Sequence, residues 1–192
     1  MKIGIFLMCI LYTLIGFAQN QIPSKKVQIE TAVQAAPKMF RENAKVLGYD
    51  KNGKLITLRK GSNELICLSD DPKKEGFSAA CYSDKLEDYM RRGRELVAEG
   101  KSTEEKQAAR KREIDAGELK MPKEAAMVYV LSADQGDYNS ETGALENTHL
   151  RYVLYKPYMT VEETGLPDKP QGKGMPWLMD ANTHRSHIMI TP

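Results

Sequence analysis

Hydrophobic positions are spaced along this chain in three ways. From residue 3 to residue 18 they run almost without interruption. Over residues 44–82 and 125–155 they form short alternating or continuous runs cut by turn residues, which is the spacing of strands. Over residues 84–116 they recur three or four apart, or hardly occur at all, as in helices. The chain therefore predicts strands, then a helical pair, then strands again.

The first strand zone resolves into residues 44–49, 54–59, 64–68 and 77–82. Asp50-Lys51-Asn52-Gly53 forms the first turn, where Asn-Gly tolerates the positive φ of a tight hairpin. Lys60-Gly61-Ser62-Asn63 forms the second. A short helix is predicted before them over residues 28–36, with Ile29 and Val33 on one face and Pro37 at its end. Three pairs have the spacing of helix-start signatures: Asp84 with Glu87, Ser102 with Glu105, and Thr160 with Glu163. Behind the first pair, Leu86, Tyr89, Met90, Gly93, Leu96 and Val97 make one apolar stripe. The helix behind the second is polar nearly all round, with Ala108, Ala109 and Ile114 as its apolar contacts. The third pair predicts a single turn before Gly165. Residues 125–132 read as a buried strand, and residues 150–155 and 187–191 as further strands.

The expected fold class is α+β. Residues 19–192 form one domain whose antiparallel sheet combines an N-terminal meander with C-terminal strands, next to a mid-chain helical pair. No internal repeat or dividing linker interrupts it.

The opening apolar run has the layout of a secretory signal peptide over residues 1–18. Lys2 supplies the positive end, and Gly16 and Ala18 the small residues before cleavage. A membrane span needs about 20 apolar residues. This run is shorter, contains Tyr12 and Thr13, and is followed by Gln19-Asn20-Gln21 rather than a basic cluster. Cys9 lies mid-run, away from a lipoprotein cleavage point. The expected location is secreted or periplasmic, with no transmembrane segment once the leader is gone.

Export changes the meaning of the cysteines. Cys67 and Cys81 remain, an even pair in an oxidising compartment, and predict one disulfide. Closing a loop of about 15 residues is worth roughly 3 kcal/mol in the chain-entropy model. The spacing lacks the Cys-x-x-Cys geometry of a redox-active dithiol.

Charge excludes more than it suggests. There are 28 Lys and Arg against 26 Asp and Glu, a formal net charge of +2. The basic runs 91–94 and 106–112 are interleaved with Glu95, Glu99, Glu104, Glu105, Glu113 and Asp115, so they predict solvated, salt-bridged helix faces and no nucleic-acid partner. The sequence names no other partner.

Candidate chemistry gathers near the C-terminus. His184 and His187 stand three residues apart, and Asp180 or His149 could complete a three-ligand metal site with an open position. Met175, Met179 and Met189 flank them, a softer donor set that suits copper as well as zinc. Against this, a strand over 187–190 puts His187 and Met189 on one face and turns His184 away. The connection over residues 156–187 is rich in Pro and Gly and holds the single tryptophan, Trp177. Long irregular connections are often binding loops. Trp177 would anchor the loop and leave Asp180, Asn182, His184 and Arg185 to meet a ligand. No Gly-x-Ser-x-Gly elbow occurs, and Gly172-Lys173-Gly174 lacks the context of a phosphate loop.

Arg59-Lys60-Gly61-Ser62-Asn63, then Cys67-Leu68-Ser69-Asp70-Asp71-Pro72, then Cys81 resembles a pattern in exported bacterial proteins of unknown function. The resemblance implies export and a paired cysteine, and carries no activity. The functional expectation is an exported, non-enzymatic binding or structural protein that uses residues 156–187 and needs no cofactor. The alternative is a metal-dependent enzyme or a zinc- or copper-handling protein using the C-terminal histidines.

Overall fold

The computed structural model describes residues 22–192; the leader expected over residues 1–18, with Cys9, lies outside them. Eight strands form a single sheet: β1 (Lys45–Tyr49), β2 (Leu55–Arg59), β3 (Leu65–Leu68), β4 (Phe77–Ser83), β5 (Ala126–Ala133), β6 (His149–Tyr155), β7 (Trp177–Met179) and β8 (His187–Ile190). Their order is β2-β1-β3-β4-β5-β6-β8-β7, and every pairing is antiparallel except β1 with β3. The α+β class, the mostly antiparallel sheet and the disulfide are thus all present.

Strand order in the N-terminal part is not sequential. β1 lies between β2 and β3. Burial explains this, because Val46, Leu47 and Gly48 are all buried, whereas Ile56 and Thr57 of β2 are exposed. The strand that can be covered on both faces goes inside, and the half-exposed one takes the edge. The hydrophobic spacing does not predict β7, because only three residues of a Pro- and Gly-rich segment pair there, along the outer side of β8.

Among the described residues five α-helices accompany the sheet: α1 (Lys25–Ala32), α2 (Lys38–Arg41), α3 (Glu87–Ala98), α4 (Thr103–Asp115) and α5 (Val161–Thr164). α1 starts earlier than its apolar spacing suggests because the Ser24 hydroxyl accepts from Val27 N–H. Pro37 ends the first helical stretch and caps α2. The Ser102–Glu105 capping box forms, and Thr160 caps α5. The Asp84–Glu87 box does not form. A short 3-10 turn intervenes and Leu86 takes the cap position, while Glu87 accepts from the Tyr82 hydroxyl and from Arg94.

Both faces of the sheet are covered. On one, Ala32, Ala35 and Ala36 pack against Val46, Leu58, Phe77, Ala79 and Leu131, around the Cys67–Cys81 disulfide. The two cysteines are directly opposed on β3 and β4 and fully buried. On the other face Leu86 and Met90 pack against Leu47, Ile66, Tyr82, Val128 and Val153. Among the described residues no helix is long and apolar enough to cross a membrane.

One buried polar knot ties α1 to the sheet. Gln28 Nε2 donates to the carbonyls of Pro23 and Tyr49 at 2.8 and 2.9 Å. Its Oε1 accepts from Tyr49 N–H at 2.7 Å and from Ser69 Oγ at 3.2 Å. Gly48 makes room for it, since a Cβ there would come within 2.5 Å of Gln28 Oε1.

Candidate functional site

The polar helix α4 has almost no apolar stripe with which to dock, so it docks through arginine. Arg110 is only 6% exposed. Its guanidinium lies over the Tyr89 ring of α3, with Cζ 3.8 Å from the ring centroid. Nη1 donates to the Tyr89 carbonyl at 3.2 Å and Nη2 to Gln107 Oε1 at 2.9 Å. Gly93 permits the approach: a Cβ there would lie 2.9 Å from Nη1. Arg92 and Glu113 join the same two helices from the outside. The expectation of solvated, salt-bridged faces holds for Arg91 with Glu95 and for Lys111 with Asp115. It fails for Arg110, which is inside.

The C-terminal segment closes over this helix pair. Ser186, fully buried, donates to the Lys156 carbonyl and accepts from Met159 N–H. Tyr158 N–H donates to the Thr183 carbonyl, and Asn182 N–H to the Met159 carbonyl. These bonds zip residues 156–159 against residues 180–186. The zipped segment holds Tyr158, Asp180 and Asn182 at positive φ, of 63°, 52° and 57°. Such backbone costs about 1 kcal/mol or more for a non-glycine residue and clusters at functional sites.

Between α4 and this segment runs a cleft of about 350 Å³, lined by Gln107, Ala108, Lys111, Tyr158, Asn182, Thr183, His184 and Arg185. Of the residues singled out from the sequence, Asn182, His184 and Arg185 meet here. Asp180 stands behind them, its carboxylate accepting from Arg185 at 2.8 Å. Trp177 lies on the edge strand β7, outside the lining. His187 stacks on Tyr155 with ring centroids 4.8 Å apart, and its Nδ1–H donates to the Arg185 carbonyl. His184 instead meets Tyr89 edge-on at 6.2 Å. His149 pairs with Ser132 at the start of β6, whereas His187 pairs with Tyr155 at its end. The length of β6 keeps them about 20 Å apart. Among the described residues no group of three or more His, Cys, Asp or Glu stands close enough to share a metal ion.

The electrostatics of the cleft are positive. Burial pushes the His184 imidazole below its ordinary pKa, and the nearby cations Arg110, Arg185 and Lys111 push the same way. His187 is held down by burial too. Burial also disfavours the charged form of Arg110, although a guanidinium stays protonated in proteins. Tyr89, desolvated beneath it, is pushed up to about 12 and stays neutral. Two buried atoms have no hydrogen-bond partner among the described residues, Arg110 Nε and His184 Nε2.

Sequence reasoning missed Tyr89, Gln107, Arg110, Lys111 and Tyr158. One signal was available. A helix without an apolar stripe, following one that carries a glycine within its stripe, must dock by some other means.

A second concavity lies on the opposite face, about 220 Å³ and lined by Pro23, Asp70, Pro72, Lys74, Glu75, Gly76, Gln135, Tyr138 and Ser140. Burial raises Asp70 to about 6, despite the Ser78 N–H it accepts.

No family model matches the chain, and neither a curated protein nor a solved structure matches it. The resemblance over residues 59–81 stands on its residues alone.

Proposed function

We propose that this is an exported binding protein that takes a small ligand in the cleft between α4 and residues 158–185. One observation carries the reading. Asn182, His184 and Arg185, far from α4 in sequence, line a common cleft with Gln107 and Lys111, and buried polar atoms beside it lack partners. Buried polar groups are normally satisfied, and exceptions ask for a role. Among the residues lining the cleft none forms a nucleophile–base pair, which favours binding over catalysis.

Export is the second half of the proposal. It is supported by the layout of residues 1–18 and by an oxidised cysteine pair in the fold. Ala108 is exposed and lines the cleft, so Ala108→Trp should fill the cleft without unfolding the protein. Ligands from a small-molecule library that raise the Tm of the wild type should fail to raise that of Ala108→Trp. Equal responses from both proteins remove the cleft from the proposal. Intact mass of the protein recovered from outside the cytoplasm should lack residues 1–18; a full-length mass there counts against a cleaved leader.

A further inference from the structure

Resting on the cleft as a binding site, we propose that its ligand is a small organic carboxylate with an apolar body, held by Arg110 and His184. Four other arginines, Arg91, Arg92, Arg94 and Arg185, each hold a carboxylate. Arg110 is far more buried than they are, yet its two hydrogen bonds go to neutral oxygens, the Tyr89 carbonyl and Gln107 Oε1. A guanidinium presents five N–H donors in a planar fork. Two are engaged, and Nε is buried without a partner among the described residues. Arg110 does not itself line the cleft but is bonded to Gln107, which does. Its buried Nε is an uncommitted donor, and displacing Gln107 presents this edge to the two oxygens of a planar anion, the pairing a guanidinium makes best.

The surroundings point to the same ligand. His184 is 5% exposed and lines the cleft, with Nε2 unpartnered. Arg110, Arg185 and Lys111 all act on it, while the carboxylates nearby already have partners: Asp180 holds Arg185 and Asp115 holds Lys111. Glu113, which also acts on Arg110, is bonded to Arg92, so Arg110 makes no salt bridge among the described residues, and a buried charge without a bonded counter-ion is costly until an anion arrives. Gln107 stands between cleft and guanidinium, half-buried, and its amide oxygen is the side-chain acceptor that an incoming carboxylate replaces. Ala108, Tyr158 and Lys111 line the cleft and bring apolar carbon to its wall. That wall suits an organic body better than inorganic phosphate, and the cleft is small enough to restrict that body to roughly one ring or a short chain.

Benzoate, its uncharged amide benzamide and inorganic phosphate are the probes. They are titrated into the purified protein and followed at the Arg110 Nε–H and His184 ring signals by NMR. Benzoate should move both signals and bind at least tenfold more tightly than benzamide. Arg110→Met should bring benzoate down to the affinity of benzamide and leave benzamide unchanged. Arg110→Lys, which keeps the charge and loses the fork, should fall between, and it serves as the second variant if Arg110→Met does not fold. Equal affinity for benzoate and benzamide overturns the carboxylate while leaving the cleft as a binding site. Phosphate binding as tightly as benzoate overturns the organic anion. No movement with any probe overturns the carboxylate, and the Ala108→Trp comparison then decides separately whether the cleft binds anything.

Discussion

On the α1 face of the sheet Gln28 is buried, and both donors and both lone pairs of its amide are used; on the α3–α4 face Arg110 and His184 are buried, and each keeps one atom without a partner. The first face also carries the disulfide and a glycine shaped to the amide. A satisfied cluster has its free-energy minimum in the folded chain alone. An unsatisfied one beside a cleft has a lower minimum with something bound. The difference sets a region that serves the fold against the region proposed above to take a ligand.

Breaking the satisfied side should cost most. Replacing Cys67 and Cys81 together by Ala releases a loop with a sequence separation of 14 and should lower stability by about 3 kcal/mol in urea unfolding. Gln28→Leu leaves Tyr49 N–H, the Tyr49 and Pro23 carbonyls and the Ser69 hydroxyl without their partner, and should cost about 2–3 kcal/mol. If either change is neutral, the α1 face is not the structural half.

The two faces should also answer pH with opposite signs. Asp70 is raised in the fold to about 6 from 3.8. Between those values the native state holds the proton more firmly than the unfolded chain, so this group's contribution is lost as pH rises through 6. His184 and His187 are lowered. Below about pH 6.5 the unfolded chain takes up protons that the native imidazoles refuse, so their contribution is lost as pH falls. Asp70→Asn should therefore stabilise the protein more at pH 7 than at pH 4, as read by Tm. A constant difference across that range would show that Asp70 titrates normally.

Breaking the unsatisfied side should cost little in the absence of ligand. Arg110→Met removes a buried unpaired charge and two hydrogen bonds together. It should change stability by no more than about 1 kcal/mol, in either direction, because apolar replacement of buried charge is often neutral. A loss as large as that of Gln28→Leu would make Arg110 a structural residue. The smallest effect belongs to His149→Ala. This exposed side chain lies at the far end of β6 and should alter neither stability, within about 0.5 kcal/mol, nor cleft binding.

Much of the fold is legible in residues 44–155, because alternation and turn chemistry act locally. Asn52-Gly53 makes its turn, with Gly53 at φ 73°, and Ser102 with Glu105 makes its box. The site was half legible. Asn182, His184 and Arg185 stand out as polar residues in an irregular segment, and that segment does line the cleft. Arg110 did not stand out, because an arginine among lysines and glutamates reads as solvated until a neighbouring helix is placed on it. The histidines are not brought together for a related reason: closeness in sequence does not set ring direction. The neighbours His184 and His187 turn to Tyr89 and Tyr155, and His149 is carried away by the length of a strand.

The sequence by itself determined the α+β class, seven of the eight strands, the helical pair and the pairing of Cys67 with Cys81. Spacing, caps and a single possible cysteine pair are local or combinatorial constraints that need no third dimension. The tertiary structure alone decided that β1 lies inside β2, that a three-residue strand closes the sheet, and that Arg110 is buried over Tyr89, bonded to neutral oxygens. Those outcomes depend on which surfaces remain to be covered once the local elements exist, and burial of that kind is a property of the assembled chain.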